Sequence, residues 1–128
     1  MGLKITERQV RGVTILDISG RITLGDGTAL LRDTTRDLIS QGKKNLLLNL
    51  SRVPHIDSSG IAELVSAFTA ARREGGDVKL LNLTKKVRDT VEIVKLGGIF
   101  ELFDDEPAAL RAFASQQNEE PDPFARAG

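Results

Sequence analysis

The fold of this chain is decided by residues 46–60, which read LLLNLSRVPHIDSSG. The continuous apolar run Leu46–Leu48 is typical of a strand covered on both faces, as in parallel sheets. A short loop then delivers Asp57–Gly60 to the start of an amphipathic stretch, Ile61–Glu74, which predicts a helix. A serine at such a junction lies beside unpaired backbone N–H groups, where the helix dipole favours negative charge. An added phosphate there would change a surface without rebuilding a core.

Composition excludes several classes of function. The chain has 128 residues, which predicts one domain, and its 18 basic and 18 acidic residues balance to zero net charge. This balance argues against direct nucleic-acid binding. The absence of cysteine and the single histidine, His55, argue against a metal site, and no cofactor is predicted. No signal segment or apolar run of about 20 residues is present, so we expect a soluble cytoplasmic protein without membrane insertion.

The rest of the chain alternates strands and helices around this stretch. The predicted elements are strands 3–10 and 13–19, a helix capped by Thr28 and ended by Gly42, strand 46–50, helix 61–74, strand 78–83, a helix capped by Thr84 with Val87, Val91 and Val94 inward and ended by Gly97-Gly98, a strand at 100–103, and a last helix opened by residues 104–107.

This order predicts an α/β fold. A mixed β-sheet with an N-terminal hairpin, turned at Arg11-Gly12, carries about four helices packed against it. Leu110 and Phe113 are predicted to hold the last helix to the sheet. We place a single domain at residues 1–114, and the polar composition of residues 115–128 predicts a disordered tail.

The element order, with an Asp-Ser-Ser-Gly sequence between a buried strand and a helix, resembles the STAS domain of bacterial anti-sigma factor antagonists. The likeness runs from about Leu3 to Phe113. The segments that carry it are Leu46–Leu50, Ile56–Ile61, Gly75–Asn82 and Lys95–Phe100.

The resemblance implies a phosphorylation switch at Ser58. In the family, the unphosphorylated antagonist binds a partner that is both anti-sigma factor and serine kinase, which frees a sigma factor, and phosphorylation ends this binding. A serine phosphatase and a homodimer are further partners that stay open, as do second phosphorylation sites at Thr23 or Ser59. Some relatives carry an acid in the loop after the second strand, where this chain has Arg21 and Thr23. The predicted partner-binding residues are Asp57, Ser58, Ser59, Gly60, Ile61, Arg21 and Thr23.

Several other interpretations of the same residues remain. Asp57 or Ser58 is also a favoured helix N-cap, and Gly60 either permits close approach of another backbone or, more commonly, eases the chain into the helix. His55 near Ser58 suggests an esterase or phosphatase, but the G-x-S-x-G elbow is absent, so we predict that the chain is not an enzyme. The alternative function is a scaffold subunit of a larger STAS-containing signalling or transporter-associated assembly.

Overall fold

The computed structural model describes residues 2–93 and 99–119. Strands and helices follow one another in the predicted order, β-β-α-β-α-β-α-β-α. They are β1 (Lys4–Val10), β2 (Val13–Ser19), α1 (Asp26–Ser40), β3 (Asn45–Arg52), α2 (Ser58–Arg73), β4 (Asp77–Leu81), α3 (Lys85–Ile93), β5 (Leu102–Phe103) and α4 (Glu106–Glu119). The predicted fold class, a single mixed sheet with an N-terminal hairpin and four helices, is confirmed.

Within the residues that the structure describes, the sheet has five strands in the order β1-β2-β3-β4-β5. β1 pairs antiparallel to β2 through the tight turn at Arg11 and Gly12, whose φ angles of 54° and 80° are both positive. The remaining strands pair in parallel. β3 therefore lies at the centre, and the three leucines Leu46–Leu48 have no exposed surface.

The two faces of the sheet are covered by different helices. Alternate residues such as Leu46 and Leu48 belong to a core with residues of α1, α2 and α3. Leu47 points to the other face, where α4 contributes Ala109 and Phe113 to a smaller core. Because neighbouring residues of a strand point to opposite faces, only an unbroken apolar run satisfies both layers. Leu110 is half-buried against the same core, so the prediction that Leu110 and Phe113 hold the last helix to the sheet is confirmed.

Several predicted element boundaries are corrected. Gly25, not Thr28, precedes α1, and the Thr28 hydroxyl donates to the Gly25 carbonyl oxygen from inside the first turn. Gly42 ends α1 as predicted, with a φ of +87°. Phe100 is buried but precedes β5, which begins at Leu102.

The remaining boundary predictions concern the last third of the chain. α4 extends past residue 114, so residues 115–119 of the predicted tail are helical. Residues 120–128 of that tail, the inward position predicted for Val94, and the helix stop at Gly97-Gly98 lie outside the described residues.

A buried lysine joins α4 to the sheet, and sequence patterns did not predict it. Lys79 in β4 is 1% exposed and donates to Asp77 Oδ2 at 3.0 Å and to Glu101 Oε1. Its ammonium lies 4.9 Å from the centre of the Phe113 ring, within range of a cation–π contact. The charge is therefore paired on one side and covered by an aromatic ring on the other, as a buried cation requires.

Phe113→Ala should destabilise the protein by about 3–5 kcal/mol, because it leaves a cavity and uncovers Lys79. Arg111→Ala, on the exposed side of α4, is the matched control and should cost less than about 0.5 kcal/mol. Urea unfolding followed by circular dichroism measures both. A cost below about 1 kcal/mol for Phe113→Ala would contradict the packing of α4 on this face.

Candidate functional site

The predicted site lies where β2 and β3 end, at the carboxyl edge of the parallel strands. Two loops meet there: residues 20–25, which follow β2, and residues 53–57, which follow β3. Backbone hydrogen bonds join them, from Ile22 N–H to the His55 carbonyl at 3.1 Å and from Asp57 N–H to the Ile22 carbonyl at 3.2 Å. The loops thus continue the parallel pairing of β2 and β3 for a few residues.

The Asp57 carboxylate connects these two loops to α2. It is the N-cap of the helix: Oδ1 accepts from the Gly60 N–H at 2.9 Å and from the Ser59 hydroxyl at 2.6 Å. Oδ2 accepts from the Leu24 N–H of the other loop at 2.9 Å. We call this set of three hydrogen bonds the Asp57 clamp. The donors, the Ser59 hydroxyl first, stabilise the ionised form and lower the pKa of Asp57 to about 2.

Gly60 is required by contact rather than by helix geometry. A Cβ at this position would lie 2.3 Å from the Ile22 carbonyl oxygen and 2.6 Å from Ile56 Cγ1. Both distances are far inside van der Waals contact, so any side chain would push the loop away from the helix. Of the two interpretations of Gly60, the structure supports close approach of another backbone, and the commoner interpretation was wrong here.

Ser58 is the first residue of α2 and is exposed. Because Asp57 caps the helix, the Ser58 hydroxyl is not needed for capping. Across residues 2–93 and 99–119, no hydrogen bond is made by Ser58 Oγ. The hydroxyl is therefore accessible from solvent at a helix N-terminus, where an anion is favoured.

The other predicted site residues divide into a supporting set and a surface set. Gly60 and Ile61 are buried, Ile61 with 8% of its surface exposed, so they support the exposed residues of the site from the protein interior. Arg21 is exposed and Thr23 is half-buried, with the Thr23 carbonyl accepting from Thr28 N–H at 3.3 Å. The surface thus brings Arg21 and Thr23 to the same edge of the sheet as Ser58.

Leu24 belongs to this surface and was missed in the sequence. It is 81% exposed, more than the two other large exposed hydrophobic residues of the described chain, Leu30 and Ile99. The available signal was an apolar residue beside Gly25, outside the helical pattern that follows. Its backbone is held by the Asp57 clamp while its side chain projects into solvent.

His55 does not form a catalytic pair with Ser58 through its buried ring nitrogen. Nδ1 of His55 is buried and has no hydrogen-bond partner within the described residues. A general base for a serine nucleophile needs a hydrogen bond to that serine and an orienting partner of its own. Within the same residues no three His, Asp or Glu side chains form a group that would hold a metal ion, and no helix is long and apolar enough to cross a membrane.

Replacing Asp57 and Ser58 by alanine separates the role of the Asp57 clamp from that of the exposed Ser58 hydroxyl. Asp57→Ala removes the cap and the bond to Leu24, so we expect a loss of about 1–3 kcal/mol in unfolding free energy. Ser58→Ala, the neighbouring control, should change it by less than about 0.5 kcal/mol. Urea unfolding at neutral pH measures both, and an equal loss in the two variants would contradict the assignment of Asp57 as the cap.

The low pKa of Asp57 makes part of the stability depend on pH. Its pKa of about 2 in the folded protein lies below the ordinary value of 3.8, so folding favours the ionised form. The stability that the charge contributes is full above pH 3.8 and is lost as pH falls through about 2. The unmodified protein should therefore exceed Asp57→Asn in unfolding free energy at pH 6, and the difference should shrink steadily below pH 3.8. A difference that grows in acid would contradict this account.

Comparison with known proteins adds relatives of stated function. The anti-sigma-B factor antagonist of Bacillus subtilis (strain 168) is 26% identical over 102 residues, covering 80% of this chain and 92% of that protein. The crystal structure of an anti-sigma factor antagonist from Mycobacterium paratuberculosis matches with a TM-score of 0.78 at 20% identity, covering 88% of this chain and 94% of the other.

Three further solved structures share this fold. The Bacillus cell fate determinant SpoIIAA in its phosphorylated form has a TM-score of 0.67 at 20% identity, covering 85% of this chain and 99% of the other. The unphosphorylated form of SpoIIAA, an anti-sigma factor antagonist, has the same TM-score. A sulfate transporter family protein from Wolinella succinogenes has a TM-score of 0.72 at 21% identity, covering 85% and 90%.

At these identities the solved structures establish a shared fold. The family model of the STAS domain matches residues 4–109, which include every strand and the whole of the Asp57 clamp. This chain therefore belongs to the STAS domain family.

Proposed function

We propose that this protein is a cytoplasmic anti-sigma factor antagonist controlled by phosphorylation of Ser58. Unphosphorylated, it binds an anti-sigma factor that is also a serine kinase and so releases a sigma factor; phosphorylation ends that binding. The observation that carries the proposal is the exposed Ser58 hydroxyl at the first residue of α2, on a surface held in place by the Asp57 clamp. Two relatives are named anti-sigma factor antagonists, and this chain matches most of the length of each, which supports the proposal.

Phosphorylation is expected to leave the fold unchanged. A phosphate adds a charge of about −1.5 to −2, which the helix N-terminus favours by roughly 0.3–1 kcal/mol and the neighbouring Asp57 carboxylate opposes. Ser58 packs into neither core, so these terms act at the surface and partly cancel.

The effect of the phosphate falls on the partner instead. A charge placed inside a fitted interface must lose its water, and like charges brought together cost several kcal/mol. A loss of about 2.8 kcal/mol already weakens binding about a hundredfold. Repulsion at the interface is thus a sufficient switch, and no rearrangement of the sheet is needed.

The geometry favours Ser58 over Ser59 as the acceptor of phosphate. The Ser59 hydroxyl is half-buried and donates to Asp57 Oδ1 at 2.6 Å. A phosphate on Ser59 would replace that donor with an anion beside an ionised carboxylate, and so would oppose the Asp57 clamp. Thr23 lies on the same edge of the sheet, but it is half-buried. It accepts a second phosphate only if the kinase reaches its hydroxyl.

A scaffold role is the second candidate, favoured by the likeness to the sulfate transporter family protein. On that view the surface formed by Arg21, Thr23, Leu24 and Ser58 joins a larger STAS-containing assembly, and phosphorylation is incidental. The two candidates differ in one respect that can be measured. Only the antagonist requires that the charge on Ser58 decides binding.

The test is a binding measurement against a panel of anti-sigma factor serine kinases, with and without ATP. Incubation with ATP should place one phosphate on Ser58, located by mass spectrometry. Ser58→Ala should bind the kinase without being modified there, and Ser58→Asp should bind about a hundredfold more weakly. Ser66→Asp, exposed two turns along the same helix, controls for added charge and should bind normally.

Equal binding by Ser58→Ala and Ser58→Asp would overturn the switch. If Ser58→Asp also assembled normally into a stable complex of high order, the scaffold role would replace it. A serine phosphatase that restores binding, and a homodimer detected by sedimentation, would extend the proposal without altering its central step.

A further inference from the structure

A polar cavity of about 440 Å³ lies on the sheet and includes no residue of the loops 20–25 and 53–57. α4 covers the second face of the sheet around Leu47 and Leu81. Toward the carboxyl ends of β2 and β3 the same face is open, and there the cavity is formed. Its lining includes the side chains of Lys4, Thr6, Ser19, Asn49, Ser51 and Arg52. We propose that this cavity binds a small polyhydroxylated anion such as a sugar phosphate.

Strand register brings two cations to opposite sides of one hydroxyl. Lys4 of β1 pairs with Ser19 of β2, and Ser19 pairs with Arg52 of β3 where the register shifts by a bulge. Throughout the described residues, the side chains of Lys4, Ser19 and Arg52 make no hydrogen bond or ion pair within 4.0 Å. Their donors are thus available to a ligand. An Arg fork with a Lys point charge and hydroxyls is a set that suits phosphate oxygens.

The lining includes one carboxylate, that of Asp17, and it is paired with an arginine. Asp17 accepts from Arg8 Nε at 2.6 Å and from Arg8 Nη2 at 3.1 Å, and Asn49 Nδ2 donates to it at 2.8 Å. The Arg8 hydrogen bond is the main cause of a lowered pKa for Asp17, so the pair stays ionised at neutral pH. Arg8 also pairs with Glu106 at 2.8 Å, and the charge of Arg52 helps to lower the pKa of Asp17. The lining therefore carries two cations, Lys4 and Arg52, against one carboxylate, and its net charge is positive.

Size and lining indicate the class of anion. The volume falls in the range of roughly 300–1,000 Å³ that is usual for small-molecule sites and exceeds the space that inorganic phosphate would fill. The hydroxyl groups of Thr6 and Ser51 match a ligand that carries hydroxyls of its own. The described lining residues include no aromatic side chain on which a base would stack, which favours a sugar phosphate over a nucleotide.

The location also agrees with a general rule for α/β sheets, in which ligands bind outside the carboxyl ends of parallel strands. β2 and β3, which line the cavity, run directly into the loops 20–25 and 53–57. The cavity itself includes no residue of those loops, so the two sites are separate.

The test is an NMR titration of the full chain, labelled with ¹⁵N, using glucose 6-phosphate and ribose 5-phosphate as probes. We expect a millimolar Kd for each probe, so the chemical-shift changes of the Ser19, Ser51 and Arg52 amides should saturate as the probe approaches about 10 mM. Glucose, which lacks the anion, should cause none. Inorganic phosphate should bind more weakly than either probe, because it lacks the hydroxyls.

Charge-removing variants complete the test. The double variant Lys4→Gln with Arg52→Gln should weaken sugar phosphate binding at least about tenfold, whereas Lys86→Gln, an exposed cation on α3, should not. The spectra themselves report whether each variant is folded. The proposal is overturned if neither probe shifts the lining amides, if glucose shifts them equally, if the double variant binds normally, or if the shifts centre on Ser58–Gly60 instead.

Discussion

The surface around Ser58 depends on the hydrogen bonds that the Asp57 carboxylate accepts. One oxygen caps α2 through Gly60 N–H and Ser59, and the other holds Leu24 of the loop that follows β2. A single ionised side chain thus positions a helix start and a loop that are 33 residues apart in the chain. The hydrogen bonds are charge-assisted, which makes them stronger than neutral ones. Gly60 completes the arrangement, because a side chain there would collide with Ile22.

This construction separates rigidity from accessibility. The groups that hold the surface together are Asp57, Ser59 and Gly60, and all of them are half-buried or buried. Ser58 lies among them in the chain but is exposed and takes no part in the Asp57 clamp. A modification of Ser58 therefore changes charge at a surface whose shape is maintained by its neighbours. For a switch that acts by repulsion, such a fixed shape is an advantage, because no free energy is spent on rearrangement.

The extent to which sequence predicted this structure follows from the range of the interactions involved. Leu46–Leu48 predicted a strand covered on both faces, and Asp57–Gly60 predicted the start of a helix, because both are local patterns. The contact between Gly60 and Ile22 and the bond from Asp57 to Leu24 join distant segments, so no local pattern contains them. The burial of Lys79 was unpredicted for the same reason, because its contacts with Glu101 and Phe113 are with residues that lie far along the chain. Thr28 shows the converse error: it is a good N-cap residue by type, but the helix begins at Asp26 and Thr28 lies inside its first turn.

The most direct test of the account is hydrogen exchange at the Leu24 amide before and after phosphorylation of Ser58. This N–H lies in an exposed loop, and its protection comes from the bond to Asp57 Oδ2. The account predicts that the Leu24 amide of the protein without substitutions exchanges at least about tenfold more slowly than the same amide in Asp57→Ala. It also predicts that this rate is the same before and after phosphorylation of Ser58. Faster exchange of Leu24 on phosphorylation would show that the phosphate breaks the Asp57 clamp, and would contradict a switch that acts through surface charge alone.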